Sequence, residues 1–157
     1  MAAEYSANAQ QTVESNQAVT FTAGPTPCNR GLIFHRGESG NFLLANNAPR
    51  DCGCGCGRRI FETVYAVSFH ANIAIPEDGE AEEIQLSITI DGDADPSSTM
   101  RVTPTATDEF WNVGAEILVS VPSLCGCESV SVRNTGTQAI LVQNANIVFT
   151  YEGVRRA

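Results

Sequence analysis

Short runs in which every second residue is apolar recur along this chain, and helical periodicity is nearly absent. The segments 19–22, 84–90 and 117–121 keep a period of two, and a longer alternating run extends over residues 60–75. Glycine, proline, asparagine and aspartate separate the runs, as they do at turns. A strand that buries one face and leaves the other in water has this period. The chain is therefore predicted to be all-β.

The number and spacing of these runs predict the architecture. About eight to ten short strands with regular turn signals are typical of a β-sandwich or barrel. The last run, residues 139–151, changes phase, which predicts a turn or bulge near residues 144–146. No linker divides the chain, so we predict one domain. It has an N-terminal arm or first strand over residues 1–16, a body over 17–152 and a C-terminal tail over 153–157.

The charge balance limits the partners that the chain can bind. It has 18 acidic and 9 basic residues, a net charge of −9, and every basic residue is arginine. A surface this acidic repels phosphate backbones, so we expect no binding to nucleic acid. The polar N-terminal segment and the short apolar runs predict neither an export signal nor a membrane span. We therefore expect synthesis in the cytoplasm and no membrane partner.

Five segments carry a resemblance to a known superfamily. They are YSANAQQTVESNQAVTFT (5–22), CNRGLIFHRGESGNFLL (28–44), YAVSFHANIAIP (65–76), LSITIDGD (86–93) and VSVRNTGTQAILVQNANIVF (130–149). Together they resemble the compact jelly roll of the tumour-necrosis-factor and complement globular-head superfamily, and within it the bacterial and phage members. The resemblance covers nearly the whole chain.

The resemblance implies a jelly-roll β-sandwich of about ten strands that assembles as a homotrimer. Trimers of this kind bury apolar and aromatic side chains along the three-fold axis. Aromatic side chains are the usual anchors both at such an interface and inside a subunit, so both placements stay open here. The candidate residues for the trimer interface are Tyr65, Phe69, Phe110, Trp111, Phe149 and Tyr151.

For function, the resemblance implies a non-enzymatic structural protein of a phage virion. It would be a capsid decoration or head-fibre protein on the outer surface of the head, docked on the major capsid protein or another shell protein. The chain lacks the collagen-like stalk of spore-surface fibres in the superfamily, which favours direct seating on a shell. The alternative is a receptor- or glycan-binding head on a bacterial or spore surface fibre, with a host-surface glycan as ligand. The sequence contains no nucleophile elbow, phosphate loop or zinc-protease motif, so we expect no enzyme.

Six cysteines are many for a chain without an export signal. Five of them lie in two Cys-Gly repeats, Cys52-Gly-Cys54-Gly-Cys56 and Cys125-Gly-Cys127. The family topology implies that these two loops and the loop over residues 91–97 emerge at one end of the jelly roll. Three hypotheses stay open: disulfides between the loops, a zinc ion held by four thiolates, and free thiols in tight turns. A metalloprotein or thiol-redox protein built on these cysteines is a third functional hypothesis.

A second candidate metal site lies at Asp91, Asp93 and Asp95, which place carboxylates at alternate positions. Calcium favours such clusters in loops, although the glycine and glutamate of a complete twelve-residue calcium loop are missing. A polar hairpin turn is the alternative. We therefore predict no resident cofactor, with zinc and calcium as the ions that these two clusters would select.

Overall fold

The computed structural model describes residues 1–28, 31–47, 61–122 and 126–156. These residues form strands and one 3-10 turn (Pro96–Ser98), and they contain no helix that could span a membrane. In chain order the strands are β1 (Ala2–Ala7), β2 (Gln11–Val13), β3 (Ala23–Thr26), β4 (Ile33–His35), β5 (Phe42–Ala45), β6 (Phe61–Ala74), β7 (Ile84–Ile90), β8 (Asp93–Ala94), β9 (Met100–Val102), β10 (Trp111–Pro122), β11 (Cys127–Asn134) and β12 (Ile140–Arg156).

The strands form two antiparallel six-stranded sheets around one hydrophobic core. Sheet A has the order β10-β6-β12-β1-β3, and β2 also pairs with β12. Sheet B has the order β4-β5-β11-β7-β8, and β9 also pairs with β7. Each sheet buries its inner face against the other, which is the arrangement of a β-sandwich. The prediction of an all-β jelly-roll sandwich is confirmed.

The alternation in the sequence becomes alternation between the two faces of a sheet. Along β6, Tyr65, Val67 and Phe69 lie in the core, whereas Ala66 and Ser68 lie on the other face and are only partly buried. Burying one large apolar side chain stabilises the fold by about 1.5–3 kcal/mol. The inward register positions of the strands therefore supply most of the stabilisation, and the outward positions are available for other roles.

An aromatic cluster joins the two sheets at the centre of the core. The ring centroid of Phe42 lies 4.9 Å from Tyr5, 5.4 Å from Phe21 and 4.8 Å from Phe149. Phe42 also stacks on the ring of His35 at 4.5 Å. Tyr5 and Phe149 belong to sheet A, while His35 and Phe42 belong to sheet B. The cluster therefore fixes how the two sheets sit on each other.

Strand β12 contains the predicted bulge. Its register with β6 shifts between Gln143 and Asn146. Asn144 has a φ of 52°, a left-handed conformation that asparagine tolerates better than most residues. The extra residue reverses which side chains face the core, which accounts for the change of phase in the sequence.

The predicted C-terminal tail is wrong over residues 153–156. A second register shift lies between Tyr151 and Gly153, and β12 then continues along β6 as far as Arg156. The Arg155 side chain pairs with Glu62 and donates a hydrogen bond to Ser120 Oγ at 3.0 Å. The end of β12 is thus held by backbone pairing with β6 and by the ion pair between Arg155 and Glu62.

Candidate functional site

Three of the six predicted interface aromatics lie inside the single chain. Tyr65, Phe69 and Phe149 are at most 1% exposed. They occupy inward register positions, so they have no surface for a neighbouring subunit, and their assignment to a trimer interface is wrong. The Tyr65 hydroxyl donates to the carbonyl oxygen of Ala45 at 2.5 Å, and burial raises the pKa of Tyr65 to about 12. This tyrosine is a core residue with one satisfied polar group.

The other three aromatics keep exposed surface. Trp111 is 45% exposed, and its Nε1 donates to Glu109 Oε1 at 3.1 Å. Phe110 and Tyr151 are partly buried, and the Tyr151 ring makes an edge contact with Tyr65 at 6.0 Å. Contact with a second subunit stays a prediction for these three residues.

The outer face of sheet A is a surface that our sequence analysis did not single out. We use this name for the outward side chains of β10, β6, β12 and β1. Three rows of residues cross it in register: Leu118–Ala66–Thr150–Ala2, Glu116–Ser68–Val148–Glu4 and Gly114–His70–Asn146–Ser6. Most of these side chains are small, so a second protein surface can approach the sheet closely.

Leu118 is the main apolar group on the outer face of sheet A. It is 63% exposed, while its neighbours Ile117 and Val119 point into the core. Val148 lies on the same face, two strands away. A leucine at a position that the alternation assigns to the outer face of a strand is the sequence signal for a protein-contact surface. The neighbouring aromatic pair, Phe110 and Trp111, gives a stronger sequence signal for an interface than this leucine does.

Few ionisable groups lie on the outer face of sheet A. Glu4 and Glu116 occupy one row, and the exposed His70 lies in the next row. Over the part of the chain that the structure describes, the arginine on this face is Arg155, which is already paired with Glu62. Among the described residues, Glu4 and Glu116 have no ion-pair partner. Acidic side chains therefore predominate on this face, and His70 is the side chain there that can gain a positive charge.

A different region of the sandwich carries the cysteines, and we call it the cysteine end. Ala45 pairs with Cys127, and Glu62 pairs with Pro122. The Asn46 side chain donates to the carbonyl oxygen of Val121 at 2.6 Å. The residues that flank both Cys-Gly repeats thus meet at one end of the sandwich. The two Cys-Gly loops lie largely outside the described residues, so their common position at this end stays a prediction.

The cysteines themselves are only partly described. Cys52, Cys54, Cys56 and Cys125 lie outside the described residues, and Cys127 is an exposed thiol at the start of β11. The zinc and disulfide hypotheses for this end of the molecule therefore stay predictions.

The three aspartates proposed for calcium do not form one site. Asp95 Oδ1 accepts hydrogen bonds from the backbone and the hydroxyl of Ser97 and so caps the 3-10 turn. Asp91 Oδ1 instead accepts from the backbone N–H of Ser129 at 2.9 Å, and Asp93 begins the neighbouring β8. Over the described residues, no group of three or more metal-ligating side chains is placed to hold an ion. The polar turn is the better account of this segment.

Asp91 has a second partner at the cysteine end, the carboxyl group of Glu128. Their hydrogen bond is the largest of the causes that raise the pKa of Glu128 to about 7, with desolvation and the charge of Asp91 adding to it. The same hydrogen bond, with the N–H of Ser129, lowers the pKa of Asp91. Below about pH 7, Glu128 therefore keeps its proton, and its hydroxyl donates a hydrogen bond to the Asp91 carboxylate.

This carboxyl pair predicts that stability depends on pH. The folded-state pKa of Glu128 lies above the ordinary value, so the folded chain binds the extra proton. The free energy of unfolding should fall as pH rises from about 5 to about 8. Glu128→Gln keeps a permanent donor for Asp91 and should reduce this pH dependence. Urea unfolding of both proteins at several pH values measures it, and an unchanged slope in the variant would contradict the pairing.

Comparison with known proteins adds information about the fold. No protein-family model and no curated protein sequence matches the chain. Among solved structures it is similar to Eiger TNF from S. frugiperda, with a TM-score of 0.61 and 10% identity over 96% of this chain and 91% of that chain. Weaker likenesses include Pika GITRL (TM-score 0.44, 9% identity, 97% and 96% covered) and PRD1 vertex protein P5 (TM-score 0.41, 13% identity, 96% and 95% covered). The likeness to the Eiger structure shows that this chain has a TNF-like jelly-roll fold.

Proposed function

We propose that this chain is a non-enzymatic structural protein that forms trimers through the outer face of sheet A and decorates the outside of a phage capsid. The observation that carries the proposal is the β10 edge and face, where Leu118 is exposed and no described strand pairs on the outer side of β10. The TNF-like fold supports a trimer because the superfamily that the sequence resembles forms tight trimers.

The edges of the two sheets differ in how well they resist pairing with another chain. Strand β3 carries Pro25, which cannot donate a backbone hydrogen bond. Strand β4 has three residues, and the edge made by β8 and β9 is interrupted by the 3-10 turn. Short, interrupted or proline-containing edges are common devices against edge-to-edge association.

Strand β10 has none of these devices. It pairs with β6 over 12 consecutive residues without a register shift, and no described strand covers its other side. It contains no arginine, and its one proline is the last residue, Pro122. A long, regular and exposed edge is a surface on which a second chain can pack or pair. A second copy of the chain is the partner that a trimer supplies.

Leu118→Glu tests the role of this surface in self-association. A carboxylate at the centre of a buried contact costs several kcal/mol, so the variant should be a monomer at concentrations at which the wild type is a trimer. Phe34→Glu is the matched control because Phe34 is also exposed, at 54%, but lies on sheet B. Size-exclusion chromatography with light scattering measures the mass of all three proteins. Equal dissociation of both variants, or of neither, would contradict the proposal.

The position on a capsid requires an experiment with particles. Mass spectrometry of phage heads purified from the producing culture should find the chain in fixed proportion to the major capsid protein. Immunogold labelling should decorate the heads from outside, because the protein lies on the outer surface of the virion. Heads that lack the protein would contradict the capsid role.

A receptor- or glycan-binding head is the second candidate function. The exposed Trp111 ring, held in place by Glu109, is the observation that favours it, since aromatic rings are common platforms for sugars. In the particle experiment, this function predicts that the label falls on cells or spores rather than on phage heads.

A further inference from the structure

His70 lies on the central part of the outer face of sheet A. It belongs to β6, which has β10 on one side and β12 on the other. Its partner on β10 is Gly114, which has no side chain, and its partner on β12 is Asn146. The imidazole is exposed in the single chain, and its neighbour on β10 has no side chain to cover it. If the outer face of sheet A forms the contact between copies, His70 enters that contact.

The charges that face His70 are acidic. On β10, Glu116 is two residues from Gly114, and on β1, Glu4 lies in the same row as Glu116. Asn146 Nδ2 donates to Glu4 Oε1 at 2.6 Å and so holds that carboxylate on the face. The other charged side chains of β6 and β12 are Glu62, Glu152, Arg155 and Arg156, of which Arg155 and Glu62 pair with each other. Strands β2 and β3 contribute no titratable side chain.

We infer that protonation of His70 strengthens the association between copies of this chain, so that assembly is favoured in mildly acidic conditions. The inference rests on the self-association proposed above. Each copy brings two carboxylates without an ion pair, Glu4 and Glu116, into the shared contact, while the described arginine on this face, Arg155, is already paired with Glu62. Repulsion among these carboxylates opposes assembly, and a positive charge on His70 offsets it.

The sign of the effect follows from proton linkage. Histidine is the side chain whose charge ordinarily changes between about pH 5 and pH 8. If the assembled carboxylates favour the charged imidazole, assembly takes up protons, and the association constant rises as pH falls. A trimer takes up at most about three protons through His70, so the logarithm of its association constant changes by at most about three per pH unit. Desolvation alone would disfavour the charged imidazole and give the opposite sign.

Sedimentation equilibrium between about pH 8 and about pH 6 measures this slope for three proteins. The wild type should associate at least about tenfold more tightly at the lower pH. His70→Gln keeps a polar side chain but cannot become charged, so its association should be nearly independent of pH in this range. Glu116→Gln removes a facing carboxylate, so it should associate more tightly than the wild type at the higher pH and show a smaller slope. Circular dichroism confirms that both surface variants are folded.

The outcomes separate the inference from the proposal on which it rests. Association of the wild type that weakens on acidification, or an equal slope in His70→Gln, would overturn the role of His70 while leaving the trimer intact. A wild type that is monomeric at every pH would overturn the self-association and, with it, this inference.

Discussion

Phe42→Ala is expected to lower the free energy of unfolding by about 3–5 kcal/mol, the largest loss from a single substitution in this fold. Phe42 is fully buried and contacts the rings of Tyr5, Phe21, His35 and Phe149. Alanine removes the ring from the centre of the cluster, and side chains from both sheets lose packing together. The free energy of unfolding of a domain of this size is only about 5–15 kcal/mol, so the variant should keep only part of it.

Thermal and urea unfolding measure this effect at one fixed protein concentration, because self-association adds stability. The melting temperature should fall by roughly 10 °C. The matched control is Phe34→Ala, which removes the same ring from an exposed position on β4. It should change the free energy of unfolding by no more than about 0.5 kcal/mol. Equal losses in the two variants would show that the Phe42 cluster does not join the sheets as described.

Asn134→Leu should have the second large effect, about 3 kcal/mol of lost stability. Asn134 is fully buried at the end of β11. Its Nδ2 donates to the carbonyl oxygens of Val13 at 3.0 Å and Gln138 at 2.8 Å, and its Oδ1 accepts from the N–H of Gly136 at 2.9 Å. Leucine has a similar volume but leaves three backbone groups without their partner. Each buried group that loses its hydrogen bond costs about 1–3 kcal/mol.

The control for Asn134 is the same change at an exposed asparagine. Asn41→Leu, in the turn before β5, should leave the free energy of unfolding within about 0.5 kcal/mol of the wild type. Urea unfolding compares the two variants. A small loss in Asn134→Leu would mean that water or rearranged backbone satisfies the three groups, contrary to the role of Asn134 as the link between β2, β11 and the 135–139 turn.

Much of the fold was predictable from the sequence because alternation is a direct consequence of strand geometry. Residues 84–90 and 117–121 lie in β7 and β10, and the run at 60–75 corresponds to β6. Residues 19–22 alternate equally well but lie outside the named strands. Val19 and Phe21 are nevertheless fully buried, and the N–H of Val19 bonds to the carbonyl oxygen of Val132 at 2.8 Å. Alternation of apolar residues thus indicates that one face of a segment is buried, even where its backbone hydrogen bonds to neighbouring strands are incomplete.

The candidate site was less predictable because a single sequence does not distinguish the core from a subunit interface. Tyr65, Phe69 and Phe149 are aromatic residues in alternating strands, and either environment accepts them. The structure separates the two cases by register, since these side chains face sheet B. The outward positions of the same sheet carry mostly small residues, with two glutamates, one leucine and one histidine, and this mixture has no distinctive sequence signature. Whether these side chains form one contact surface depends on which strands are neighbours, and the order of strands is a property of the tertiary structure.

The C-terminal strand shows a similar limit. Gly153 and the two arginines after it resemble a frayed tail, and the second register shift near Tyr151 leaves no clear period in so short a segment. Pairing with β6 and the contact of Arg155 with Glu62 are both long-range interactions. The local strand propensity of the last residues therefore could not predict these two long-range interactions.

We propose that the outer face of sheet A joins three copies of the chain. Sedimentation equilibrium of the wild-type protein at about pH 6, where the association should be strongest, tests it most directly. If three copies associate through this face, the protein should be a single species with three times the chain mass of 16.7 kDa. A species that keeps the mass of one chain at every concentration would contradict it.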